Sequence, residues 1–315
     1  MFEDVMGRKQ ADVFDDPDTR RACELWRDKV IHAYGETGET ECTGGVDVEI
    51  IDTQLGLCEK TAEYCYTEFT PLDIQYQPGS RPLLEKVVNE VVDPDMGERE
   101  KALALMRRCR DNRHHGLASP GLFYGGSEED LLKRGARMCN EISRVYVCLC
   151  QIAGLPARVH SSHISGHMMS EVYTDGKWGW IDSMKGLAPV LDDDRPAGAW
   201  ELYQDPHLFE RQTADFWDDV RPSATDPEEA DRYAACQMAR NRDCYFHPKE
   251  AMALGNYFVW EKDKYTFPWS RENAVAHPRR HRAVVREMAR LKKKMGWPDF
   301  YFNQDLFHEE LKTRG

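Results

Sequence analysis

The dipeptide Asp175-Gly176, set between His167–Thr174 and Lys177–Asp182, constrains this chain more than any other feature. It is the strongest short-range hairpin signal a sequence can carry, and a two-residue turn leaves one pairing of the flanking strands. Thr174 then faces Lys177, Tyr173 faces Trp178, Glu171 faces Trp180 and Met169 faces Asp182. Opposed residues share a face, so His167 and Asp182 become diagonal neighbours, about 7–8 Å apart at the backbone and within reach of an imidazole and a carboxylate. A slip of one residue would place them on opposite faces. A carboxylate so placed fixes a histidine's tautomer and stabilises the imidazolium formed when the ring takes a proton.

The segment before the hairpin supplies a thiol. Met138, Ile142, Val145, Tyr146, Leu149, Ile152 and Ala153 recur at helical spacing and are apolar nearly all round, which predicts a buried helix ended by Gly154 and Pro156. Cys139 stands at its start, where the helix dipole and free backbone N–H groups favour a thiolate and could hold an oxyanion. Cys148 and Cys150 lie deep in the same helix, where desolvation opposes ionisation, and read as core. Taken singly, Cys139 is a small buried hydrophobe, His167 a polar residue at a strand start and Asp182 a turn-capping carboxylate; their combination reverses those readings. Trp178 reads as a packing residue. Trp180 has two readings, packing or the wall of a substrate cleft; Glu171, on the same face, is either a cross-strand neighbour of Trp180 or a group that tunes the charge of the cleft.

Several stretches together resemble a known family. Met138-Cys139-Asn140-Glu141 opens the helix that closes with Ile152-Ala153-Gly154-Leu155-Pro156-Ala157-Arg158-Val159. Gly166-His167-Met168-Met169-Ser170-Glu171-Val172-Tyr173 and Asp175-Gly176-Lys177-Trp178-Gly179-Trp180-Ile181-Asp182 follow. This is similar to the transglutaminase-like superfamily, which shares the papain-like arrangement of a cysteine-bearing helix packed on an antiparallel sheet. The resemblance implies an α+β fold, with Cys139 as nucleophile, His167 as general base and then acid, and Asp182 as the orienting carboxylate. The expected chemistry is acyl transfer from a peptide, protein or small amide through a Cys139 thioester, hydrolysis being favoured over protein cross-linking. It asks for no cofactor and no metal. A binding module that keeps the fold without the chemistry is the first alternative.

A zinc site is the second. His160, His163 and His167 would share a helical face, but Pro156, Ser161-Ser162 and Ser165-Gly166 argue against a helix there. On strands His160 and His163 would point to opposite faces. The His114-His115 pair reads as a solvated loop.

Around this core the expected organisation is an N-terminal mixed extension over residues 1–80, a catalytic core over 81–190 and a mostly helical extension over 191–315. Helices are expected at Pro17–Tyr34, Leu83–Val92, Glu98–Arg110, Glu128–Arg134, near 226–240 and near 279–295, and short strands at 46–50 and 157–160. Lys and Arg total 42 against 55 Asp and Glu, a net charge of −13, which repels nucleic acid and anionic membranes. The basic stretch Arg279–Lys294 reads as a helix docked by its apolar stripe, its charges paired within the chain. The start of the sequence lacks a basic segment followed by an apolar one, and no apolar run approaches the ~20 residues of a membrane span, so a cytoplasmic location with free thiols is expected. Oligomeric state has no signal in the sequence.

Overall fold

The computed structural model describes residues 54–111, 127–136, 139–162, 167–213, 216, 234–235, 237–248 and 250–261. The expected helices at Pro17–Tyr34 and 279–295, the strand at 46–50, the His114-His115 loop, His163 and the basic stretch Arg279–Lys294 lie outside them. Among the described residues no helix is long and apolar enough to cross a membrane.

An antiparallel sheet and a layer of helices make the frame. In chain order the elements are β1 (Leu55–Gly56), α1 (Ala62–Thr67), α2 (Pro82–Val91), α3 (Glu98–Asp111), α4 (Glu128–Arg134), α5 (Cys139–Ile152), β2 (Ala157–Ser162), β3 (His167–Thr174), β4 (Lys177–Ile181), α6 (Ala199–Gln204) and β5 (Met252–Gly255). The sheet runs β1-β5-β2-β3-β4, every neighbouring pair antiparallel. Among the described residues, a five-stranded antiparallel sheet backed by helices is the expected α+β class.

α5 is buried on every side. It lies between β2 and β3 on one flank and α2, α3 and α4 on the other. Tyr146, Val147, Cys148 and Cys150 are wholly inaccessible, and Leu84, Leu105, Met106, Val159, Val172 and Ile181 close around them. A helix apolar all round can be stable only in such a position. It ends where Gly154 takes φ +85°, with the Leu155 N–H returning to the Cys150 carbonyl at 2.9 Å. Glycine meets that positive φ without strain, as in a Schellman-type stop. α4 opens on a capping box between Ser127 and Asp130. Its first residue, Glu128, is fully buried and binds Arg144 of α5 at 2.7 Å and Arg81 beside α2 at 3.0 Å, with the Tyr257 hydroxyl on the same carboxylate. That charged node ties the helical layer to the chain beyond β5.

The hairpin pairs as the turn dictates. Thr174 faces Lys177, Tyr173 faces Trp178 and Glu171 faces Trp180, and Asp175 and Gly176 take φ +53° and +80°. Gly179 is required by packing, since a Cβ there would lie 2.6 Å from the Pro196 Cβ.

Two expectations change. β4 ends at Ile181, because Asp182 leaves the ladder to bridge Leu187. Within the mostly helical extension expected over 191–315, Met252–Gly255 instead form β5, hydrogen-bonded between β2 and β1 inside the sheet. Residues 237–240 are helical, within the helix expected near 226–240.

Candidate active site

Three elements bring a thiol, an imidazole and a carboxylate together. Cys139 is the first residue of α5, half-buried. Its helix is fastened to β3 by the Ser143 hydroxyl, which donates to the Met168 carbonyl at 3.0 Å. His167 is the first residue of β3, opposite Ser162 of β2, and is 7 % exposed. Asp182 follows β4 and is fully buried.

His167 and Asp182 are in contact, although Asp182 lies one residue past the end of the β3–β4 ladder. His167 Nε2 meets Asp182 Oδ2 at 2.7 Å. The other carboxylate oxygen, Oδ1, accepts the backbone N–H groups of Met184 at 3.0 Å and Lys185 at 3.2 Å. The turn-capping reading of Asp182 and the histidine-orienting one are therefore both realised, one on each oxygen. With Nε2 committed to Asp182, Nδ1 is the nitrogen left for Cys139, whose thiol is electrostatically coupled to the His167 ring.

The electrostatics favour charge separation between sulfur and ring. Burial opposes the Cys139 thiolate, but the hydrogen bond and charge of His167 and the Met168 backbone N–H outweigh it, so the thiol lies below its usual range. Burial likewise opposes the His167 cation and is overcome by the charge and hydrogen bond of Asp182 and by Cys139, which raise the ring to about 9. Asp182 is held below the usual carboxylate range: burial pushes it up, and His167, Lys185 and the Met184 N–H outweigh that. The other buried thiols contrast. Desolvation lifts Cys65 and Cys109 to about 12 and Cys148 well above its normal value. Among the described cysteines Cys139 alone has a lowered value.

Trp180 and Glu171 do share the face of His167, but both are interior. Trp180 is 1 % exposed and sits edge-on to Phe209 and Phe246, its indole N–H donating to His160 Nδ1 at 3.1 Å. The Glu171 carboxylate is inaccessible and fully engaged: Arg158 at 2.7 Å, the Tyr66 hydroxyl at 2.7 Å and the Ala199 N–H at 2.7 Å. The Arg158 guanidinium is stacked 4.1 Å from the Trp178 ring centre and 5.0 Å from that of Tyr66. Here both residues build the core, because α1, α6 and the chain around Phe209 and Phe246 cover this part of the face.

His160 lies on β2 and His167 on β3, so the helix that a histidine zinc face requires is not formed. Burial lowers His160 to about 4, keeping it neutral between Trp180 and Phe246. Among the described residues no group of His, Cys, Asp and Glu could hold a metal ion.

The sequence reading missed Tyr245. Its ring stacks on His167 with centroids 4.5 Å apart and planes at 27°. It comes from the chain beyond the hairpin, where nothing in the local pattern marks it.

Residues 85–183 match the family model of the transglutaminase-like superfamily, whose members generally perform cysteine-based acyl transfer or hydrolysis. No curated protein and no solved structure matches the chain. With the cysteine-bearing helix, the hairpin and the three site residues all inside the matched span, residues 85–183 are a transglutaminase-like domain.

Proposed function

We propose that this protein is a thiol acyl-transfer enzyme that cleaves amide bonds through a Cys139 thioester, with water as the acyl acceptor. One observation carries the reading: the His167 imidazole hydrogen-bonds the buried Asp182 carboxylate at 2.7 Å and is coupled to Cys139 at the start of α5, the one described thiol that its surroundings shift toward the thiolate. In the first half-reaction the sulfur attacks the amide carbonyl carbon. Electrons move to the carbonyl oxygen, and the backbone N–H groups and dipole at the start of α5 suit that oxyanion. The tetrahedral intermediate collapses with breakage of the C–N bond, and His167 gives its proton to the departing amine. In the second half-reaction His167 takes a proton from water, whose oxygen attacks the thioester. The C–S bond breaks, the acid product leaves and the thiolate–imidazolium pair is restored. Asp182 keeps Nε2 protonated and stabilises the cation throughout. An amine in place of water would make the same thioester a transamidation intermediate.

The test is mass spectrometry of the full-length protein after exposure to a panel of peptidyl and acyl electrophiles. The reading expects one covalent label, on Cys139, lost in Cys139→Ala and in His167→Ala. Absence of labelling on Cys139 by every probe would favour a binding module that keeps the fold without the reaction.

A further inference from the structure

Two consecutive aromatic residues from beyond the matched domain each stack against one histidine of the sheet. Tyr245 stacks on His167, and Phe246 stacks on His160 with centroids 6.0 Å apart and planes at 9°. They close a π-helical turn, Asn241–Tyr245, in which the Phe246 N–H returns to the Asn241 carbonyl at 3.0 Å. Such turns place side chains that a regular helix would turn away, and they concentrate at functional sites. This one is pinned at both ends: Asn241 donates to the Gln237 carbonyl at 2.8 Å, and the Ser162 hydroxyl donates to the Tyr245 carbonyl at 3.3 Å. Ser162 is the residue opposite His167 in the sheet, so the turn is fastened to the strand position that faces the imidazole. Tyr245 is 6 % exposed and His167 7 %.

Resting on the reading of Cys139 and His167 as a reacting pair, we propose that Tyr245 is a positioning residue for it. Its ring holds the His167 imidazole in the plane that joins Cys139 to Asp182 and keeps water off the His167–Asp182 hydrogen bond. Two physical effects act in the same direction. The face of an aromatic ring attracts a cation, more strongly where water is excluded. Excluding water also strengthens the attraction between imidazolium and carboxylate. The charged and titratable groups facing His167 are Cys139 from α5, Asp182 after β4 with Lys185 beside it, and His160 from β2, which stays neutral. The Arg158–Glu171 ion pair lies further along the same face and is closed on itself. Opening the Tyr245 side to solvent weakens every influence on the pair, so both members drift back toward ordinary values: the thiol rises and the imidazolium falls. The span of pH over which both are charged then narrows.

The experiment measures the pH dependence of iodoacetamide alkylation at Cys139 in the full chain, for the wild type, Tyr245→Phe and Tyr245→Leu. Phenylalanine keeps the ring and leaves the profile in place. Leucine keeps an apolar side chain but removes the ring face, and it moves the acid limb to higher pH, so that at a fixed pH on that limb the rate falls about 3- to 10-fold. A purely structural role would lower the melting temperature of the leucine variant without moving the limb. A second readout needs no variant at Tyr245: the ring protons of His167, identified by their loss in His167→Gln, should be displaced upfield by the tyrosine ring current. A reactive wild type whose profile is unchanged by leucine, or His167 protons at ordinary positions, overturns this inference alone. A wild-type Cys139 no faster than an unfolded thiol overturns the reading of the pair and this inference with it.

Discussion

Strand β3 carries two buried acid–base pairs on one face, four residues apart, and they are built for opposite ends. At its start His167 meets Asp182; further along, Glu171 meets Arg158. Both pairs are withdrawn from water and both carboxylates are held ionised by their partners. The difference lies in the cation. A guanidinium keeps its proton at any pH a protein meets, so Arg158–Glu171 has one charge state and acts as a fixed brace, closed by Tyr66, Trp178 and the Ala199 N–H. An imidazole can gain and lose its proton, and His167 has a thiol on its other side. Burial alone therefore does not mark a reactive pair; a titratable member with a second proton partner does.

Perturbing each pair should separate the two roles. The largest effect is expected at the reactive end: Cys139→Ala and His167→Ala abolish turnover while circular dichroism shows the fold retained. Next comes Asp182→Asn. It can still accept the Met184 and Lys185 N–H groups but loses the charge facing His167, and turnover should fall by about 10²- to 10⁴-fold in steady-state assays. At the bracing end, Glu171→Ala leaves the Arg158 charge buried without its carboxylate, which costs on the order of 3–5 kcal/mol in chemical denaturation. If Glu171→Ala cost little in denaturation yet removed activity, the division between the two pairs would be wrong. The smallest effect is the pH dependence of stability. His167 binds its proton more tightly folded than unfolded, so its contribution is complete below about 6.5 and fades as pH rises through about 9. Asp182, lowered on folding, contributes above its ordinary value of 3.8 and loses that contribution as pH falls below it. His167→Gln should therefore flatten the melting temperature between pH 6.5 and 9 relative to the wild type.

The same contrast explains what the sequence could reveal. A two-residue turn admits one register, so Asp175-Gly176 put Trp180 and Glu171 on the face of His167 and brought Asp182 near it, although Asp182 itself leaves the ladder to bridge Leu187. α5 was legible because a helix apolar all round has one place to go, and its first residue is Cys139. Whether a face opens to solvent is set by what distant chain lays over it. Trp180 and Glu171 lie under α1, α6 and Phe209, which pattern alone could not bring there. β5 was hidden for a related reason: Met252–Gly255 is a four-residue run buried on both sides, and such a run has no alternation to set it apart from helix or loop. Tyr245 reaches His167 through a π-helical turn, a geometry that follows neither the helical nor the strand period.

The central claim is that Cys139 is an activated thiolate paired with the imidazolium of His167. Its most direct test is the rate of iodoacetamide alkylation of Cys139 at neutral pH, followed by peptide mass spectrometry and set against the same cysteine in the denatured chain. The account predicts that the folded protein reacts faster at Cys139, and that His167→Ala removes the advantage. A folded-state rate no greater than the denatured one would contradict it.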